Sequence, residues 1–215
     1  MNDRNLHHQS ILNEWLEKYE KTLDLIFEQC VIDSFLDIGA NTGAVIEFIL
    51  SKKSLKKIYA FEPDIDNFQI LTGKLSSLAS PNTHYELFNK AVYYGLEKSR
   101  VFGCNDGNPG GMFLEGVNSE FANNGGSEIS NQVFYCVQLE ESLSHVDKID
   151  LCKIDVEGSE WNIIENSRFI KEKTNNILLE YHWLNEKNAL LFVERNLPKH
   201  QVVDVVQNTI VMKKK

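Results

Sequence analysis

The stretch Asp37-Ile38-Gly39-Ala40-Asn41-Thr42-Gly43 constrains the fold of this chain more than any other. It closes a short apolar run, Val31 to Asp37, and opens a segment with Val45, Phe48 and Ile49 on one helical face. A buried strand, a glycine turn and a helix are therefore written one after the other. Gly39 tolerates positive φ and lets the backbone approach a ligand, and Gly43 lets the helix start pack closely. The same alternation recurs. Lys57 to Glu62 reads as a strand that Pro63 stops, and Asp64 to Leu78 reads as a helix. Thr83 to Phe88, Ile149 to Asp155 and Ile177 to Glu180 read as further strands. One helix carries Trp161, Ile163 and Ile164, and another runs from Glu186 to just before Pro198. Strands alternating with helices predict an α/β, Rossmann-like architecture with a mainly parallel sheet covered on both faces. The closing run, Val202 to Met212, predicts an antiparallel hairpin turning at Gln207-Asn208.

With 215 residues, the chain reads as one domain over 1–215. Residues 1–30 form an N-terminal helical cap, in which Leu12, Trp15, Leu16, Tyr19, Leu23, Ile26 and Phe27 keep helical spacing. Ser10 is the expected N-cap. Residues 31–215 form the core, and 103–130 is a loop-rich insertion, expected to shape an acceptor pocket or its lid.

The crevice of an open α/β sheet lies outside the carboxyl ends of its strands, and the chemical groups of this sequence fall there. Asp37 ends the first strand. Glu62, 25 residues later, ends the second and suits the two hydroxyls of a ribose. An acid ahead of Gly39 and Gly43, without G-x-G-x-x-G, speaks against a dinucleotide pyrophosphate. It suits the ammonium and sulfonium of S-adenosylmethionine. Asp155 and Glu157, in Lys153-Ile154-Asp155-Val156-Glu157-Gly158, reach the same rim, as does His182 after the fifth strand. His182, titrating near neutrality, is the expected proton acceptor. Asp155 is expected nearest the methionine moiety, and Glu157 is expected to hold the acceptor hydroxyl. Lys153 reads as a solvated lysine, and the other histidines as surface residues. Asp155, Glu157 and Glu180 offer oxygens to a divalent metal, but the expectation is that no metal takes part.

These residues together resemble the FkbM-like methyltransferases. The matching stretches are Phe35 to Gly43, Ala60-Phe61-Glu62-Pro63, Asn89-Lys90-Ala91-Val92 and Lys153 to Glu160. The resemblance implies S-adenosylmethionine as methyl donor, with Asp37, Gly39, Asn41, Gly43, Glu62, Asn89, Ala91 and Asp155 around it. Asn89 and Ala91 would border the adenine. It implies a seven-stranded sheet and O-methylation of a hydroxyl on a sugar or other small natural product. Two alternatives stay open: a methyltransferase acting on a protein, and a non-catalytic module that only binds the cofactor.

Charge and composition set the remaining expectations. A net charge of −9 predicts no nucleic-acid partner. Cys30, Cys104, Cys136 and Cys152 show no C-x-x-C spacing, and no apolar leader or membrane-length run is seen. Those readings point to the cytoplasm and to no membrane partner.

Overall fold

The computed structural model describes residues 3–95, 97–104, 112–114 and 127–215. Helix α1 (Asp3–Gln29) leads into strand β1 (Ser34–Ile38), helix α2 (Ala44–Lys52), β2 (Lys57–Phe61), α3 (Ile65–Leu78) and β3 (His84–Phe88). Next come β4 (Ala91–Val92), β5 (Lys98–Cys104), β6 (Met112–Leu114), β7 (Ser127–Val137) and the short α4 (Leu139–Ser142). The chain ends with β8 (Ile149–Ile154), α5 (Glu160–Asn166), α6 (Arg168–Lys173), β9 (Thr174–Glu180), α7 (Glu186–Asn196), β10 (His200–Val206) and β11 (Thr209–Lys214).

Seven strands form the main sheet in the order β10-β11-β9-β8-β1-β2-β3. Strands β3, β2, β1, β8 and β9 are parallel, and β11 pairs antiparallel with both β9 and β10. The expected mixed sheet and closing hairpin are both present. A smaller sheet, β4-β7-β5-β6, accommodates part of the insertion. The remainder of that segment, 105–111 and 115–126, lies outside the described residues, and the expected lid with it.

Side-chain alternation divides the core in two. Leu36, Ile38, Tyr59, Phe61, Cys152, Ile154, Ile177 and Leu179 face one cluster, closed by residues of α4 to α7. Phe35, Ile58, Ala60, Leu151, Leu178 and Val211 face the other, closed by residues of α1, α2 and α3. Each fully buried large side chain contributes roughly 1.5–3 kcal/mol. The sheet is thus held equally from both sides, and its carboxyl edge is free to carry polar groups.

Strand order fixes where those groups gather. From β1 the chain moves through β2 to β3, whereas β8 and β9 lie on the opposite side. The order reverses between β1 and β8, which is where α/β sheets open a ligand crevice. Direct register partners there are Asp37 and Lys153.

Two details of α1 depart from expectation. The helix starts at Asp3, so Ser10 lies inside it and caps nothing. His8 is buried, with Nδ1 2.9 Å from Thr42 Oγ1 and Nε2 2.7 Å from Glu47. His200 is buried too, against the carbonyl of Thr174. A single sequence does not reveal such contacts, because the partners lie far along the chain. Among the described residues, no helix is long and apolar enough to cross a membrane.

Candidate functional site

The glycine turn is shaped by its neighbours as much as by its own residues. Gly39 has φ 83°, and a Cβ there would fall 1.9 Å from the carbonyl oxygen of Asp155. The direction a side chain would take from Gly39 is therefore filled by the carbonyl just after β8. Gly43, also at φ 83°, is the N-cap of α2, and a Cβ would press on Leu71 of α3. Between them Asn41 takes φ 50°, a conformation asparagine tolerates better than most residues. Its side chain accepts from the amide of Thr42.

Glu62 ties this turn to the next strand. One oxygen accepts from the amide of Asn41 at 2.8 Å and the other from the amide of Asp64 at 2.9 Å. Burial pushes its carboxyl up to about 7, against the two amides, which favour the charged form. Asp64, not Glu62, caps α3, accepting from Asp66 and Asn67. Asn89 donates to the carbonyls of Glu62 and Pro63, which frames the ends of β2 and β3. Ala91 is packed against Phe134 and Cys136.

Asp37 is completely buried, and neither of its oxygens has a hydrogen-bond partner. Its nearest cation is Lys153 Nζ at 3.4 Å. Burial raises the Asp37 carboxyl, and Lys153 only partly offsets that. Lys153 is not the solvated lysine the sequence suggested. It is buried, donates to the carbonyl of Gly39 at 2.7 Å and lies 3.2 Å from Asp155. Burial would lower its ammonium, but Asp155, Asp37 and Glu180 outweigh burial and hold it above its usual range. Lys153 shares a face with Asp37 because the two are register partners across β1 and β8, a pairing that the sequence alone does not give.

The second half of the crevice is built by two interlocked loops. Glu157 has φ 49° and Trp183 φ 61°. A Cβ on Gly158 would meet the Trp183 ring at 1.5 Å, so glycine is required there. Glu160, missed as a site residue, is fully buried at the start of α5. It accepts from the amides of Gly158 (2.6 Å) and His182 (2.7 Å), and its Oε1 lies 3.2 Å from His182 Nδ1. Trp161 Nε1 donates to the carbonyl of His182. His182 Nε2 then lies 3.6 Å from Glu157.

Asp155, Glu157 and His182 each place one ligand-type atom within 4.8 Å of the others. Glu180, the other oxygen donor considered, instead accepts from Asn208. Burial lifts Glu157 to about 7, with His182 opposing and the surrounding acids adding to the rise. Burial would lower His182, but the Glu160 hydrogen bond and the charges of Glu160, Glu157 and Asp155 raise it to about 9. The imidazole is charged at neutral pH in this arrangement. A proton acceptor, by contrast, must be neutral.

A family model described as "Methyltransferase FkbM domain" matches residues 37–205. The chain belongs to this methyltransferase family. Among solved structures, the FkbM methyltransferase of Methylobacillus flagellatus shares 15% identity at a TM-score of 0.52. That match covers 85% of this chain and 43% of the other, so the chain spans less than half of that protein. The 16S rRNA methylase ArmA is 13% identical, with a TM-score of 0.51 over 97% of this chain and 91% of its own. A protein from Pyrococcus horikoshii described as a "putative RNA methyltransferase" is 9% identical, with a TM-score of 0.50 over 91% of this chain and 83% of its own. At these identities the likeness speaks to the fold. No curated protein gave a significant match.

The expectation of no nucleic-acid partner is corrected by these neighbours. An rRNA methylase and a protein described as a "putative RNA methyltransferase" share the fold. Net charge is a sum over the whole surface and does not report what one face presents to phosphate.

Proposed function

We propose that the chain is an S-adenosylmethionine-dependent O-methyltransferase acting on a hydroxyl of a sugar or another small natural product. The observation that carries this reading is Asp37: a fully buried carboxylate at the crevice, with both oxygens lacking a hydrogen-bond partner. Lys153 at 3.4 Å offsets its burial only in part, and such a group is costly unless a ligand completes it. A cationic ammonium suits it; a pyrophosphate does not.

Bound S-adenosylmethionine would supply a methyl group on a sulfonium, open to in-line displacement by an oxygen nucleophile. The chain's residues then have separate tasks. Asp37 receives the ammonium. Glu62, with one amide on each oxygen, keeps further acceptor capacity for the ribose hydroxyls. Asn41 and Asn89 hold the frame around it, and Gly39 and Gly43 allow the turn. Asp155 and Glu157 hold the acceptor hydroxyl. Because His182 is charged at neutral pH, its task is to orient and balance these carboxylates, and the hydroxyl proton leaves toward Asp155 or Glu157. Orientation alone supplies several kcal/mol to such a reaction.

The described cysteines Cys30, Cys136 and Cys152 are free thiols, which agrees with a reducing compartment and supports the cytoplasm. The continuous seven-stranded sheet supports reading the chain as one catalytic domain.

Calorimetry tests the cofactor. S-adenosylhomocysteine should bind, NAD should not, and Asp37→Asn should weaken the first at least tenfold. Labelled methyl transfer to panels of glycosides, proteins and ribosomal RNA tests the acceptor. Transfer to protein or RNA with none to glycosides would overturn the small-molecule assignment. Binding of NAD without S-adenosylhomocysteine would overturn the whole reading.

A further inference from the structure

We propose that Asp155, Glu157 and His182 form a divalent-cation site of the manganese class. The ion would hold the acceptor through two oxygens on adjacent carbons. The three ligand-type atoms lie within 4.8 Å of one another. Metal–ligand bonds of about 2.1–2.2 Å place neighbouring ligands about 3 Å apart and opposite ones a little over 4 Å apart. One ion therefore fits between these atoms with little movement.

The second observation comes from Glu160, which is not one of the three. It is fully buried and anchored by the amides of Gly158 and His182. From that fixed position it faces His182 Nδ1. An ion at Nε2 would displace the proton that His182 carries in its absence, and the Glu160 carboxylate on Nδ1 then sets the tautomer that supports metal-bound imidazoles. The outward nitrogen, Nε2, faces Glu157 at 3.6 Å, too long for a hydrogen bond and close to the spacing of two ligands on one ion.

Charge adds a third argument. Among the described residues, Asp37, Asp155, Glu157 and Glu160 gather around the Lys153 ammonium and the His182 ring, with the charge of Glu180 acting on Lys153 as well. Partly buried carboxylates in such excess call for a further cation. Lys153 engages Asp155 through Oδ2, which leaves that carboxylate a second oxygen. One imidazole with two carboxylates suits manganese better than magnesium, which favours an all-oxygen shell.

Three protein ligands leave three of six octahedral positions. Two would take neighbouring acceptor oxygens and one a water. An ion held by these three residues would lower the pKa of the bound hydroxyl, and with Asp155 and Glu157 occupied as ligands the proton would leave to solvent instead of to either carboxylate. The oxygen then forms its bond to the methyl carbon as the carbon–sulfur bond breaks, with the electron pair staying on sulfur. The role in transfer rests on the methyltransferase reading; the binding of the ion does not.

The test is titration of the chelator-treated full chain with Mn²⁺, followed by electron paramagnetic resonance, with S-adenosylhomocysteine binding measured in parallel. One Mn²⁺ per chain is expected, with hyperfine coupling to an imidazole nitrogen. His182→Ala should abolish that coupling, and Glu157→Gln should weaken the ion at least tenfold. Glu160→Gln should weaken it by roughly 10–100-fold, as losses of a ligand's supporting partner do. S-adenosylhomocysteine affinity should stay within a few-fold in all three, which also reports that they fold. A wild-type chain that binds S-adenosylhomocysteine but no stoichiometric Mn²⁺ overturns the site and leaves the methyltransferase reading standing. So does Mn²⁺ binding unchanged in both His182→Ala and Glu157→Gln. Mn²⁺ bound with no S-adenosylhomocysteine supports the site and removes the cofactor reading.

Discussion

The two ends of strands β1 and β8 carry acids in opposite states. At the amino end, Asp150 accepts from the amides of Asp33 and Ser34 and from the Ser34 hydroxyl. Burial works against its charge, but those donors and Lys148 hold its carboxyl below the usual range. At the carboxyl end, Asp37 has no hydrogen-bond partner, and burial lifts Asp37, Glu62 and Glu157 above their usual values. Two aspartates of the same two strands thus differ: Asp150 is satisfied at one end and Asp37 is left without a hydrogen bond at the other. Hydrogen-bonded carboxylates stabilise a fold, whereas buried carboxylates short of partners weaken it and are retained where a ligand completes them. The amino end of the sheet is structural and the carboxyl end is built for binding.

The largest expected effect lies at the carboxyl end. Glu157→Gln removes one charge from a crowded rim and should leave stability unchanged or slightly higher. Turnover should fall by roughly 10²–10⁴-fold, the usual range for loss of a group that handles a proton. Single-turnover methyl transfer and denaturant unfolding on the same protein give both numbers. A variant that loses stability and keeps turnover would reverse the assignment of the two ends.

The amino end should respond in the opposite way. Asp150→Ala strands two amides and a hydroxyl, and should cost roughly 3–4 kcal/mol of unfolding free energy. S-adenosylhomocysteine affinity should remain within a few-fold. If urea melts differ from wild type by less than 1 kcal/mol, the hydrogen bonds at this end do not hold the strands together as argued.

How much of this was legible in the sequence depends on how local each contact is. The turn from Asp37 to Gly43 was readable because strand, glycine and helix adjoin in the chain. The sheet and closing hairpin followed from the same kind of pattern. Lys153 was misread as solvated because its partners, Asp37 and the Gly39 carbonyl, are far along the chain. Glu160 was passed over because an acid at a helix start reads as a dipole partner. Only folding shows it reaching across to His182. The charge state of His182 was out of reach for the same reason: it is set by neighbours from another loop. Binary pattern carries architecture, while electrostatics depends on contacts that pattern does not encode.

The third prediction uses pH to separate the ends. The Glu62 carboxyl is held up to about 7 against an ordinary value of 4.5. Between those values the folded chain keeps a proton that the unfolded chain has lost. Its share of stability is therefore complete below pH 4.5 and is lost as pH rises to about 7, an effect on the order of 2–3 kcal/mol. Glu62→Gln should flatten that slope. Because ribose hydroxyls bind the charged form, S-adenosylhomocysteine should release a proton on binding below pH 7. Calorimetry in buffers of differing ionisation enthalpy reads that proton directly, and equal heats in all buffers would show that Glu62 does not meet the cofactor.

The smallest effect concerns α1, whose His8 reaches Thr42 and Glu47. Burial lowers the pKa of His8, against the Glu47 hydrogen bond, so the ring is neutral at pH 7. A neutral ring has one donor and one acceptor. Glu47 can only accept, so Nε2 carries the proton, and Nδ1 accepts from the Thr42 hydroxyl. This pins α1 to the glycine turn at Thr42, next to the Asn41 amide that Glu62 holds. His8→Ala removes both bonds and should cost about 1–2 kcal/mol. The loss should appear as roughly 5- to 30-fold faster hydrogen exchange in α1, with exchange in β1 and β8 unchanged. Acid should act in the same direction: as pH falls through 6.5, the undocked histidine takes a proton that the docked one resists, and α1 loosens. S-adenosylhomocysteine affinity should fall by no more than the same factor, because Asn41 and Glu62 still hold the turn. Exchange in α1 that is indifferent to both pH and His8→Ala would mean that the apolar contacts of Leu23 and Ile26 dock the helix by themselves. The carboxyl end would then owe its geometry to the sheet alone.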